Sequence, residues 1–321
     1  MKAAVLHALG ESPRFEDFAD PQPIEDEVLV HVKAASLKNA DKMLASGSHY
    51  DRLPHLPCVC GVDGVALLDD GSRVYCGGAR PPFGMMAERA VVSRAWCLPV
   101  PSQIDDATAA ALPNPAVSAW LALVWRAQLR PGEIVLILGA TGVAGQLAVQ
   151  IAKHLGAERV VAAGRNRRVL ATLPGLGANA TIPLDLPDQE LIAAFVREAG
   201  SKGFDIVIDY VWGRPTEVLL EALTRHDLKG AASRTRLVEI GEMAGPTISL
   251  SAAVLRSAGV ELYGGGGGSV PPKAIFEAFP QVWALAADGK LRIKTERVPL
   301  ADVEGAWQRR DLDGRRLVFV P

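Results

Sequence analysis

The sequence predicts an α/β protein of two domains, a β-rich region first and a doubly wound parallel sheet after it. Three observations lead there. At 321 residues the chain exceeds the usual size of one domain. Its first hundred or so residues carry short apolar stretches punctuated by Gly, Pro and Asp. From Ile134 onward, compact apolar runs alternate with helix-like periodicity, the pattern that builds parallel sheets.

In the β-rich part, Val28 to Val32 alternates on a strand period, and Val65 to Leu68 and Arg73 to Tyr75 read as further short strands. After Ile104 the character changes. Asp105 and Asp106 precede an Ala-rich run, Pro113 and Pro115 break the chain, and Ala116 to Gln128 reads as a helix, where the domains are expected to cross. Strands are then expected at Ile134–Leu138, Arg159–Ala163, Ala180–Pro183, Asp205–Asp209, Arg236–Ile240 and Val260–Tyr263. Helical patterns such as Gln146–Leu155 and Gln189–Ala199 separate them, and Ala274–Ala287 follows as a last long helix before a terminal strand, Arg316–Val320.

Composition narrows the function. Hydrophobic residues are 49% and charged residues 22%, ordinary for a globular protein. A net charge of −2 gives no electrostatic case for nucleic acid or an anionic membrane. The start MKAAVLHALG lacks the apolar core of a signal peptide, and no apolar run has the roughly 18–20 residues a spanning helix needs. Cys58, Cys60, Cys76 and Cys97 are too sparse for a disulfide scaffold. The expectation is a soluble, cytoplasmic protein with reduced thiols.

The most informative segment is Gly139-Ala140-Thr141-Gly142-Val143-Ala144-Gly145, between the strand from Ile134 and the helix that follows. Glycines spaced in this way let the backbone turn sharply and come close to a pyrophosphate at the helix's positive end. Alone the spacing is weak, since it departs from GxGxxG; its strand and helix flanks point to a dinucleotide site. At the end of the next strand an NAD site usually places an acid for the ribose hydroxyls. Here Gly164-Arg165-Asn166-Arg167-Arg168 has none, and Arg165 and Arg168 suit the 2′-phosphate of NADPH.

Taken together the motifs resemble the medium-chain dehydrogenase/reductase superfamily, in its zinc-independent, zeta-crystallin-like quinone oxidoreductase branch. The likeness runs through MKAAVL, Pro23–Ala34, Leu37–Asp41, Ala45–Tyr50, Gly61–Gly64, Gly71–Tyr75, Ala109–Leu123, the glycine loop, Gly203–Asp209 and the late glycine-rich strand. It implies a GroES-like substrate domain made from both ends of the chain around a central Rossmann domain, with boundaries at 1–115, 116–265 and 266–321. It also implies hydride transfer from a nicotinamide, and a homodimer.

Zinc-dependent relatives carry Gly-His-Glu where this sequence reads Gly61-Val62-Asp63, and Leu37-Lys38-Asn39 stands where the first Cys ligand would be. No metal is expected, although His49, His55, Cys58, Cys60 and Asp63 are close in sequence. Without an electrophilic metal, acceptors that take hydride readily are favoured: quinones, or carbon–carbon double bonds conjugated to a carbonyl. The protein then supplies orientation, a dry pocket and a hydrogen-bond donor.

By the resemblance, Tyr50 lines the substrate cleft, though an ordinary rim tyrosine reads the same way. Either Lys38 or Asn39 occupies a polar position facing the nicotinamide, and the sequence does not choose between them. Ser118, Gly241, Gly264, Gly265 and Gly266 correspond to positions beside the cofactor, and Trp212 either flanks the cofactor or fills core, with core favoured. The expected reaction is NADPH-dependent reduction of a quinone, with an enone or enoyl reductase as alternative and a non-catalytic nucleotide-binding or structural role more remote.

Overall fold

A computed structural model describes residues 1–225 and 232–321. They divide into two compact units, Met1–Pro113 with Ile293–Pro321, and Asn114–Arg292. In chain order the first stretch holds β1 (Lys2–Leu6), β2 (Arg14–Asp17), β3 (Glu27–Ser36), α1 (Asn39–Ser46), β4 (Cys58–Val59), β5 (Asp63–Leu67), β6 (Arg73–Gly77), β7 (Arg89–Ser93), β8 (Leu98–Pro99) and α2 (Asp106–Ala111). The middle stretch holds α3 (Pro113–Trp120), β9 (Ile134–Leu138), α4 (Val143–His154), β10 (Arg159–Gly164), α5 (Arg167–Leu170), β11 (Ala180–Pro183), α6 (Asp188–Ala199), β12 (Ile206–Asp209), α7 (Gly213–Leu223), β13 (Thr235–Glu239), α8 (Ala252–Ser257), β14 (Val260–Gly264) and α9 (Pro272–Ala287). The chain closes with β15 (Thr295–Pro299), α10 (Val303–Trp307) and β16 (Arg316–Val320).

The first unit is built from two sheets, β2-β1-β4 and β15-β16-β3-β5-β6-β8, with β7 also paired to β3. Its organiser is β3, whose Val28, Val30 and Val32 alternate into the core on the two-residue strand period. Because β16 pairs with β3 across Phe319↔Ala35 and Val318↔Ser36, residues from both parts of the chain share one sheet.

The second unit is a six-stranded parallel sheet in the order β11-β10-β9-β12-β13-β14. This is a Rossmann-type doubly wound order, with every crossover carried by helical or turn segments. β9 is buried at all five positions, which explains its unbroken apolar run of Ile, Val and Leu.

Two expectations are corrected. The break falls at Leu112, between α2 and α3, and not before Ala116; Pro113 and Pro115 sit in the first turn of α3, where a missing N–H costs nothing. That helix widens into a π-helical turn over Leu121–Arg126. The chain also returns to the first unit at Ile293 and not at residue 266. The reason is local: α9 packs against the Leu121–Arg126 turn, and the buried Gln150 amide clamps the backbone of Arg292, accepting its N–H at 2.8 Å and donating to its carbonyl at 2.9 Å.

Candidate active site

The Gly139–Gly145 loop leaves the carboxyl end of β9 where strand order reverses, between β10 and β12. Open parallel sheets bind ligands at that point. Gly139 has φ +82°, and a Cβ there would stand 2.9 Å from Val211 Cγ1. At Gly145 a Cβ would fall 2.4 Å from Gly139 O, so only glycine lets α4 close onto the loop. Ala163 O accepts the Gly139 and Ala140 N–H groups at 2.9 and 2.8 Å, which fixes the turn.

Gly142 is the N-cap of α4, and among the described residues no side chain caps that end. The amides around Val143 and Ala144, at the positive end of a twelve-residue helix, thus face an open approach suited to an anion. Thr141 lies against the end of β10: a Cβ on Gly164 would meet its Cγ2 at 2.5 Å. Sequence reasoning did not single out Gly164; its one signal is its place just before the arginines. The loop fits a dinucleotide pyrophosphate in conformation, in space and in sign of field.

Beyond Gly164, Asn166 caps α5 by accepting the Val169 N–H at 3.2 Å. Arg167 turns away to Asp185 in a two-pronged pair at 3.0 and 3.1 Å, and that guanidinium holds the Asp185 carboxyl below the usual range. Arg165 and Arg168 are exposed, and among the described residues Arg165 makes no ion pair. The segment therefore offers positive charge where an NAD site would place an acid.

The other strand ends carry the remaining candidates. Ser118 lies half-buried on α3, Gly241 follows β13, and Gly264 ends β14. Gly265 N–H donates to Glu239 O at 2.7 Å, and Gly266 precedes a short 3₁₀ turn. A cavity of about 340 Å³ opens here, lined by Trp212, Glu239, Glu242, Leu262, Tyr263 and Gly264.

Trp212 packs partly on the core, as the sequence suggested, but also borders this cavity, in the unusual backbone conformation φ +52°, ψ −157°. Asp209 imposes the turn. Fully buried, its carboxylate accepts the Val211 and Trp212 N–H groups at 2.8 and 2.9 Å and the Thr216 hydroxyl. Burial pushes its carboxyl up against the three donors that favour the anion.

In the first unit the structure separates Lys38 from Asn39. Lys38 is 2% exposed and turns inward, its ammonium 2.6 Å from Asp63 Oδ1 and 3.0 Å from Ser36 O. Asn39 is exposed in the first turn of α1. Asp41 reaches back to accept the Lys38 N–H at 2.8 Å and takes the Val62 N–H at 3.0 Å. Burial raises its carboxyl, with the Lys38 charge opposing. Arg316 of β16 is half-buried beside this group and donates to Leu37 O at 2.8 Å, tying the last strand to the loop before α1. Tyr50 is 75% exposed and stacks on His49 at 4.2 Å between ring centroids.

A zinc ion is what the superfamily's metal-dependent members would place near Val62 and Asp63. The residues present do not fit one. Asp63 is already paired to an ammonium, whose charge repels a dication, and Asp41 beside it is committed to the Lys38 and Val62 N–H groups. Among the described residues no three His, Cys, Asp or Glu side chains are grouped as a metal requires.

Comparison with known proteins agrees with this architecture. A family model for zinc-binding dehydrogenases matches residues 143–288, all within the second unit, and does not include Lys38 or Asp63. Quinone oxidoreductase of Rattus norvegicus is 30% identical over 235 residues, 70% of this chain and 67% of that protein. Quinone oxidoreductase-like protein 2 of Bos taurus is 28% identical over 263 residues, 78% of this chain and 71% of that protein. Among solved structures, the quinone oxidoreductase of Thermus thermophilus, described also in complex with NADPH, superposes with a TM-score of 0.76 at 28% identity over the whole of both chains. The chain belongs to the medium-chain dehydrogenase/reductase superfamily, in its quinone oxidoreductase branch, and is an oxidoreductase.

Proposed function

We propose that this enzyme is a zinc-independent reductase that uses NADPH to reduce a quinone. The observation that carries the cofactor choice is the end of β10, where Arg165 and Arg168 are exposed and the position of the usual acid holds Gly164. When bound, NADPH supplies the hydride. The Gly139–Gly145 loop and the α4 N-terminus hold the pyrophosphate, and the two arginines neutralise the 2′-phosphate.

On the first unit, Asn39 and Tyr50 are exposed and carry hydrogen-bond donors of the kind that would serve the substrate oxygen that gains charge. Lys38 serves differently, since its ammonium is spent on Asp63 and Ser36. The named relatives support quinone as the acceptor, and the family likeness supports a homodimer and a cytoplasmic location.

The test is consumption of NADPH and of NADH with a para-quinone and, in parallel, a conjugated enal. Faster turnover of the quinone with NADPH supports the reading. Turnover of the enal alone moves the acceptor to a carbon–carbon double bond, and preference for NADH overturns the role given to Arg165.

A further inference from the structure

Two of the four thiols lie at one end of a pair of strands, Cys76 within β6 and Cys97 just before β8. In the antiparallel β6–β8 ladder, Val74 stands opposite Pro99 and Tyr75 opposite Leu98; continued by one step past the end of β8, this register would set Cys76 against Cys97. Cys97 keeps an extended backbone, φ −91° and ψ 95°. Rungs of such a ladder alternate between bonded and non-bonded pairs. The Val100 N–H donates to Arg73 O at 3.2 Å, which makes Arg73–Val100 a bonded rung and Cys76–Cys97 a non-bonded one. On non-bonded rungs the Cα atoms lie about 4.5 Å apart, within the roughly 4.4–6.8 Å that a disulfide spans.

Side chains on one rung share a face. Cys76 belongs to the main core of the first unit, and Cys97 packs against that same core from its rim. Cys58 and Cys60 lack this arrangement: they flank Val59 on one extended segment and share its core face, but both belong to the same strand segment, so no rung sets one opposite the other.

We propose that Cys76 and Cys97 form a dithiol site that closes to a cross-strand disulfide, with an organic disulfide as oxidant. Cys97, the partly exposed thiol, attacks one sulfur of the oxidant; a mixed disulfide forms, and half of the oxidant leaves with the Cys97 proton. Cys76 then attacks the Cys97 sulfur, and the second half leaves with the Cys76 proton. Two thiols lose two electrons and two protons, and one organic disulfide gains them as two thiols.

Cys76 is fully buried, so the second step is the slower one. Burial pushes both thiols up, so closure quickens as pH rises. The bond would fasten β8, an edge strand of two residues, to β6.

The test treats the full-length reduced enzyme with oxidised glutathione and maps its peptides without reductant. Expected are a Cys76–Cys97 cross-link, a fall from four free thiols to two, and a rise in Tm of several degrees that dithiothreitol reverses. Cys76→Ala and Cys97→Ser should each lose the cross-link while the reduced variants keep the wild-type circular dichroism, and Cys58→Ser/Cys60→Ser should retain it. A lasting glutathione adduct on Cys97 with Cys76 still free, a cross-link through Cys58 or Cys60, or no reaction would each overturn the proposal.

Discussion

Lys38 shows how much one buried charge constrains. Removing its ammonium strands Asp63, which is also hydrogen-bonded by Tyr75, in the core of the first unit. Lys38→Met is expected to destabilise the protein by about 3–5 kcal/mol, and pairing it with Asp63→Leu should recover most of that loss, because the desolvated charges go together. Thermal unfolding of the two variants checks this; a double variant worse than the single would contradict it. Asp209→Ala should cost about 2–3 kcal/mol, since it leaves two backbone N–H groups and the Thr216 hydroxyl unpaired. At the cofactor end, Arg165→Ala should raise KM for NADPH roughly 10- to 100-fold, the worth of a charge-assisted contact of about 1.5–3 kcal/mol, and leave KM for NADH nearly unchanged. Sequence placed these arginines correctly beside β10, because they follow a strand end directly. It left Lys38 and Asn39 undecided, because which of two neighbours turns inward depends on Asp63, a partner distant in the chain.

At the scale of elements, strands of the parallel sheet were legible because burial on both faces makes them continuous apolar runs, as in β9. The short β4 and β8, with two residues each, were not, since two residues carry no period. The helix around Pro113 was misplaced for a different reason: proline is a breaker inside a helix and a good opener in its first turn, and only the fold says which applies. The Gln150 clamp on Arg292 joins α4 to the last residue of the second unit. Gln150→Ala should cost about 1–3 kcal/mol through its two lost hydrogen bonds, and hydrogen exchange at the Arg292 amide should quicken. Unchanged exchange there would mean that the backbone is held by something else.

For the whole molecule, acid is the expected weakness. Arg234 and Tyr263 hold the Glu261 carboxyl down to about 2, and Glu27, Glu198 and Glu296 are also held below the usual range, in each case with help from an arginine. A carboxylate depressed on folding adds stability above its unfolded pKa of about 4.3, and loses it as pH falls toward the folded value. Stability should therefore decline from about pH 4 downward. Arg234→Gln should bring the Glu261 titration, followed by NMR, back toward 4, at a cost below about 1 kcal/mol because both side chains are solvated. The pairing of β16 with β3 has a consequence for biosynthesis. A ribosome releases all of Asn114–Arg292 before it makes the strand that completes the large sheet of the first unit. The parallel sheet can thus fold during translation, while the earliest-made residues wait for the last ones. Nonsense or frameshift errors after Arg292 should leave a folded central unit attached to an unfinished one, recognisable by proteolysis that spares residues 114–292.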